Sequence, residues 1–432
     1  MGPPRKCNQN KSLPLLNDAN RRSITRNLRE KKMSKEEVTN EGNQTDQLQN
    51  TLSKKVSVFK YLNTLAYGDR MQPEIKTFTK SCIISHLNDL DGSKLITPFE
   101  KRVTALQWHP KYPSILAAAS KWGELLLFNV GSKTSNYISG IGAGGSIVGL
   151  KFTLDDQCSV YTASITGKIR RESFSNSPGK TFLSTNCYQN WFTSLDVCKE
   201  RKLLLAGDCK GNGILLSTDE GQRIWPHFKR LHTDKVSHIE FCTLDTNLFV
   251  TASIDHSVKI WDLRNLCRSV ILPEPVHTFL HLKGVNSAYF SPSNRCSLLT
   301  TDQHSEIRVY KSPDWSEQLV IKHPHRHFQH ISPIKAVWHP LEDIVVVGRF
   351  PDDEFKKSDV RTIDYYDGST GNVLRRFRSG TGGIVVLNGF NSTGDCLASA
   401  SGCSITFKSF KNKLTKIPDL HVHCNSSIVP LY

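Results

Sequence analysis

No stretch of the 432 residues approaches the roughly 18 consecutive apolar positions that a membrane-spanning helix needs. The sequence offers no membrane-crossing segment, and no membrane partner is expected. The 12 cysteines include no C-x-x-C pair, and no run at the N-terminus reads as a signal peptide. That pattern predicts free thiols in a reducing compartment, cytosol or nucleus, without a disulfide framework. Cys198, Cys242 and Cys396 sit beside apolar residues, where a thiol packs as a small hydrophobe. Enzyme constellations are missing as well. There is no G-x-S-x-G, no phosphate-cradling glycine loop followed by Lys, and no H-E-x-x-H. Gly140, Gly142, Gly144 and Gly145 cluster in GIGAGGS, but without a strand–turn–helix context they read as glycines at a packed junction. The expectation is a non-catalytic protein with no cofactor.

Acidic residues are also in deficit. Against 56 Lys and Arg stand 40 Asp and Glu, a formal net charge of +16. Such a surplus favours a polyanionic partner, because neutralising phosphates releases condensed counterions. A merely basic soluble protein is the other reading of the charge.

Residues 1–54 contain almost no aromatics and many Asn, Gln, Lys, Arg and Glu. They bury too little apolar surface to offset ordering entropy, which predicts a disordered basic arm. Arg29, Lys31, Lys32 and Lys35 within it fit either a nuclear address or a solvated charge run. Residues 55–95 change character and predict a helical segment. In 55–67, Val56, Phe59, Leu62, Leu65 and Ala66 recur at helical spacing, and Gly68 is a stop. Pro73 opens a second helix to residue 88, with Ile75, Phe78, Cys82, Ile83 and Leu87 on one face. Two short amphipathic helices cannot bury both apolar faces alone, so they require the following domain or a partner.

From residue 102 to 411 the chain repeats every 44–50 residues. Seven units open as VTALQWHP (103–110), IVGLKFTL (147–154), FTSLDVCK (192–199), VSHIEFCT (236–243), VNSAYFSP (285–292), IKAVWHPL (334–341) and IVVLNGFN (384–391). Most alternate apolar and polar positions, as strands buried on one face do. A second strand ending in small residues follows in most (ILAAAS, LLLAGD, LFVTAS, CLASAS), and a third comes after a tight turn (GELLLFN, SVKIWD, EIRVYK). This period predicts an all-β, seven-bladed WD40 β-propeller, although only one unit carries the Trp-Asp pair, Trp261 and Asp262. Residues 412–432 read as an irregular tail.

One segment concentrates chemistry: HPHRHFQH, residues 323–330, between the fifth and sixth units. His323, His325, His327 and His330 alternate in a way that a metal site could use, but Arg326 among them would repel a cation and no carboxylate or Cys lies in the segment. A buried polar hairpin is a further reading. The third is a nucleic-acid contact, in which an aromatic, Phe328, is flanked by a cation, Arg326, an amide, Gln329, and an imidazole, His330. Such a wedge fills a gap in a base stack and selects steps whose pairing is already weak.

From about Val56 to Ser401 the chain resembles the DNA damage-binding protein 2 family, the small WD-repeat subunits of UV-damaged-DNA-binding complexes. The resemblance is carried by GIGAGGSIVGLKF (140–152), TASIDHSVKIWDLR (251–264), LLTTDQHSEIRVY (298–310), HPHRHFQHISPIKAVWHP (323–340) and VVGRFPD (346–352). It implies that Phe328, Gln329 and His330 enter the duplex at the lesion while the damaged bases flip into a shallow pocket. Hairpin packing against neighbouring blades is the other role open to Phe328. Lys101, Lys121, Lys235 and Arg326 match phosphate-gripping positions, with Lys rather than Arg at 101, which forgoes the bidentate fork. Trp191 matches an aromatic beside the lesion pocket and equally suits a blade core. Trp261-Asp262-Leu263-Arg264 is the WD-x-R motif of receptors that dock on the large damage-binding adaptor of cullin-4 ligases. Asp262 and Arg264, together with Phe59, Leu62, Phe78 and Ile83 of the helical segment, are the implied adaptor contacts. The implied partners are damaged double-stranded DNA, that propeller-type adaptor, cullin-4 and a RING subunit through it, and, as ubiquitination targets, histones and the xeroderma pigmentosum group C protein, all in the nucleus. The alternative is a WD-repeat scaffold binding acidic protein or chromatin partners without lesion preference. Residues 412–432 depart from the family's charged tail, and Ser404–Phe407 reads poorly as its last strand, which puts closure of the seventh blade in question.

Overall fold

The computed structural model describes residues 80–410, apart from 82, 86, 88–89, 154–155, 176, 220, 226, 269–272, 295, 326–331, 351–360 and 380–382. The helical positions Phe59, Leu62 and Phe78, the basic arm, the C-terminal tail and the segment Arg326 to Ile331 therefore lie outside the described residues.

Seven four-stranded antiparallel sheets form the expected propeller. The first six blades are meanders of consecutive strands, opening at Val103, Ile147, Phe192, Val236, Val285 and Val337. Six of the seven second strands are buried along their whole length, for example Ile115–Ser120 and Leu203–Asp208, and Leu248–Ser253 departs only at its half-buried first residue. Their small Ala, Ser and Gly side chains let adjacent blades approach. Apolar residues pack between blades rather than around one centre. Trp108 and Trp338, each ending a first strand, donate their indole N–H to the neighbouring blade, at Gly389 O (2.7 Å) and Tyr289 O (3.1 Å).

A polar belt joins the first strands. In five blades the second residue of the opening strand is bulged out of register. In four of them that residue donates to the carbonyl at the start of the next blade: Thr104 to Ile147, Thr193 to Val236, Ser237 to Val285 and Asn286 to Ile334. The pattern is visible as VT, FT, VS and VN in the unit openings. Val148 breaks it in blade two.

Blade four alone carries the Trp-Asp pair, and there a buried chain of hydrogen bonds runs across the sheet. The Trp261 indole donates to Thr251 Oγ1 (2.7 Å), which lies 2.6 Å from His232 Nε2, and His232 Nδ1 lies 2.9 Å from Asp255. Burial lowers the His232 pKa, against the opposing pull of Asp255. Burial also works against ionisation of Asp255, but hydrogen bonds from His232, Ser257 and the Thr233 amide outweigh it and hold that carboxyl well below the usual range.

Two expectations are corrected. Residues 90–95 were expected within the helical segment. Instead Leu90–Ile96 is a strand, the outer strand of blade seven. It pairs antiparallel with Ser404–Phe410, from Leu90↔Phe410 to Ile96↔Ser404, so the weakly patterned Ser404–Phe407 does form the last strand and the ring closes between its two chain ends. The sequence signal was faint because an outer strand buries only one edge: Gly92, Ser93 and Lys94 are exposed. The described part of the second amphipathic stretch is helical at residues 80–81 and 83–85. It does not leave its apolar face free. Leu87 is 2% exposed, and Ile83 and Ile84 pack with it on Ile344, Val346, Tyr365 and Leu397 of blades six and seven. The Lys80 ammonium adds an ion pair to Asp367 at 2.7 Å.

Candidate nucleic-acid interface

Strand register defines which residues share an end of the ring. The opening residue of a first strand pairs with the last residue of the second: Val103↔Ser120, Phe192↔Asp208, Val236↔Ser253, Val285↔Asp302. Residues just before a first strand and those in the turn from second to third strand therefore stand together. Lys101, Trp191 and Lys235 are of the first kind and Lys121 of the second. All four sit at one end, although 134 positions separate Lys101 from Lys235.

Lys101 and Lys121 are exposed and, with Arg102, line a depression of about 470 Å3. The Lys101 ammonium lies 4.5 Å over the Trp122 ring, a cation–π contact that holds it at the rim. The glycines of GIGAGGS explain how this rim is built. A Cβ on Gly140 would fall 2.1 Å from the Trp122 carbonyl, and Gly123, at φ +81°, would meet Gly145 O at 2.7 Å. The loop at 140–145 thus lies directly against the Lys121–Trp122 turn, as packed junction glycines require.

Lys235 is exposed on the same end. Trp191 is 36% exposed, and its neighbour Phe192, at 0%, takes the core position instead. Tyr188 and Ile141, 92% and 75% exposed, stand in loops at this end too. Sequence reasoning missed both, along with Trp122, since an apolar residue in a turn carries no periodic signal.

The described residues that flank 326–331 stand at this end as well. Before it comes a fully buried histidine pair. His323 Nδ1 and His325 Nδ1 are 3.2 Å apart, His323 Nε2 faces Asp364 at 3.6 Å, and His325 Nε2 lies 3.1 Å from the Asp302 carbonyl. Burial pushes the His323 pKa down to about 4, so it is neutral at physiological pH. On the other side the Ser332 hydroxyl donates to Val103 O across the ring, 3.3 Å away, and Ser332 lines the same depression as Lys101 and Lys121. Two of the four histidines are thus engaged structurally. Among the described residues no group of three or more His, Cys, Asp or Glu is placed to hold a metal ion.

The WD-x-R residues occupy the opposite end, where the third strand of blade four runs out at Asp262. Asp262 accepts the backbone N–H of Arg264 (2.8 Å) and a two-pronged contact from its guanidinium (3.0 and 2.6 Å). That side-chain hydrogen bond leads the causes that hold the Asp262 carboxyl low, while 59% of the Arg264 side chain stays exposed. A short helix, Leu263–Arg268, continues from this corner.

The family WD domain, G-beta repeat, matches residues 227–262, the span holding the blade-four network. The chain is 39% identical to DNA damage-binding protein 2 of Danio rerio over 368 residues, 84% of this chain and 72% of that protein. It is 40% identical to the Bos taurus protein of the same name over 356 residues, 81% of this chain and 82% of that one. With the Mus musculus protein the identity is 43% over 314 residues, 71% of each. By these likenesses, each spanning more than two thirds of the relative, the chain belongs to the DNA damage-binding protein 2 family.

Proposed function

We propose that this chain is a non-catalytic nuclear receptor for UV-damaged DNA that brings a cullin-4 ubiquitin ligase to the lesion. The relatives' shared name supports damaged DNA as the ligand. The observation that carries the reading is the convergence of Lys101, Lys121 and Ser332 on one depression, since Ser332 stands two residues after His330. Lys101, Lys121, Lys235 and Arg326 hold backbone phosphates and set position without reading sequence. Phe328, Gln329 and His330 then enter the stack, and the lesion bases leave it toward Trp191. Opening a duplex costs a few kcal/mol, least where a photodimer has already weakened pairing, and that difference is the selectivity.

The exposed Arg264 and its partner Asp262, at the opposite end of the propeller, meet the propeller-type adaptor, and Phe59, Leu62, Phe78 and Ile83 of the helical segment are its further contacts. Cullin-4 and its RING subunit follow through the adaptor. Histones and the xeroderma pigmentosum group C protein then lie within reach for ubiquitination, in global-genome nucleotide excision repair.

The test is the triple variant Phe328→Ala, Gln329→Ala, His330→Ala, titrated with a defined photodimer duplex and with its undamaged twin at one salt concentration. The expected result is loss of lesion preference with part of the non-specific binding retained. A variant that still prefers the damaged duplex as strongly as the unmodified chain overturns the wedge. Equal binding of both duplexes by the unmodified chain favours a scaffold for acidic partners.

A further inference from the structure

A cavity of about 100 Å3 lies on the propeller axis, for its lining comes from the first strands of all seven blades. Its polar lining is unusual in three respects. Lys335 bears an ammonium with no hydrogen bond or ion pair among the described residues. His238, 8% exposed, has no partner for Nε2. Asn388, also 8% exposed, accepts from the Ser399 hydroxyl (2.7 Å) through its amide oxygen, which leaves its NH2 group without a partner. All three side chains, from blades four, six and seven, line one space, and the buried His238 Nε2 and Asn388 NH2 left unpaired are costly.

Charge around the cavity points the same way. The Lys151 ammonium is neutralised by Asp196 at 2.8 Å. Burial raises Glu240, on the first strand of blade four, to about 8, so it carries no charge at neutral pH. Burial and the neighbouring Lys235 and Lys151 push Lys335 down to about 8, which still leaves most of it protonated at pH 7. His238 is held neutral by burial and by the proximity of Lys335 and Lys151. The space is thus a cationic, donor-lined chamber with no free carboxylate in its lining. It holds about three waters by volume, too large for one solvent molecule and of a size for a tetrahedral ion.

We propose that this axial chamber is a binding site for one small oxyanion of phosphate size, held by Lys335, the imidazole of His238 and the side-chain amide of Asn388. The ion bridges three blades and completes their hydrogen bonding. It is separate from the depression at Lys101 and Lys121, and the assignment does not rest on the DNA reading.

The experiment is titration of the full chain with inorganic phosphate, followed by calorimetry and by 31P line broadening, with sodium chloride matched for ionic strength. Saturable binding is expected, with a rise in melting temperature that chloride does not reproduce. Lys335→Met keeps the aliphatic stem and removes the charge. Asn388→Asp keeps the acceptor for Ser399 and replaces the donor by a repelling carboxylate. Each is expected to weaken phosphate by about tenfold or more, as loss of a charge-assisted hydrogen bond does. A repeat with saturating undamaged duplex separates the two sources of such an oxyanion: retained binding assigns the free ion, and lost binding assigns a backbone phosphate. No saturable binding to the unmodified chain overturns the proposal without recourse to any variant, and so does equal affinity in a folded Lys335→Met protein.

Discussion

Blades four and seven solve one problem, holding a four-stranded sheet in a ring, by different means. Blade four is contiguous in sequence and is cross-linked by the buried Asp255–His232–Thr251–Trp261 chain. Among the described residues blade seven has only a shorter link of this kind, Thr406 to the Ser399 carbonyl and the Ser399 hydroxyl to Asn388. Its outer strand, Leu90–Ile96, comes from before blade one, and its third strand places Phe407 against Phe128 (5.6 Å, stacked) and Trp108 (6.0 Å, edge-on) of that blade. The contrast teaches that a propeller sheet needs either local polar specification or apolar contact across a seam. The blade that joins the chain ends relies on the second.

Removing the seam contact is expected to have the largest effect. Phe407 is 3% exposed, and Phe407→Ala is expected to cost about 3–5 kcal/mol in denaturant unfolding through the cavity it leaves. A smaller cost than that of any blade-four change breaks the contrast. Next comes Thr251→Val, which strands the Trp261 indole N–H and His232 Nε2 in the core. At about 1–2 kcal/mol for each of these two uncharged orphaned groups, a loss of about 2–4 kcal/mol is expected, read from the same curves.

Acid separates the blades further. His232 is neutral in the fold, with its pKa below the ordinary 6.5. The unfolded chain therefore binds the extra proton, so this contribution is complete above pH 6.5 and declines as pH falls below it, by at most about 1.4 kcal/mol per pH unit. The strands of blade seven contain no histidine. Between pH 6.5 and 5 the hydrogen-exchange protection factors are expected to fall in blade four before blade seven; simultaneous loss would place the acid sensitivity elsewhere. The smallest effect on stability is expected from Arg264→Ala, whose guanidinium is largely in solvent. The melt should be unchanged while affinity for the adaptor falls in a pull-down titration, and retained affinity would remove Arg264 from that surface.

Much of the ring was legible because each blade repeats a local pattern. Val103, Ile147, Phe192, Val236 and Val285 open both the repeat units and the observed strands. In blades six and seven the first strands begin three residues later, at Val337 and Leu387, where the ladders are only two and four residues long. Fourth strands escaped notice because they are half in water. Val373–Arg378, for one, has no fully buried residue, so no alternation betrays it. At the interface, the lysines and Trp191 were found through resemblance, while Tyr188 and Ile141 offered no pattern to find.

Sequence alone settled the blade count, the strand periodicity and the identity of the charged and aromatic residues, since these follow from near-neighbour spacing and side-chain chemistry. Only the tertiary structure decided that residues 90–96 complete the last blade, that Ile83 packs on its own propeller, and that Lys335, His238 and Asn388 line a single axial space. Those outcomes depend on closing a ring of about 300 residues, which brings together groups that no local spacing relates.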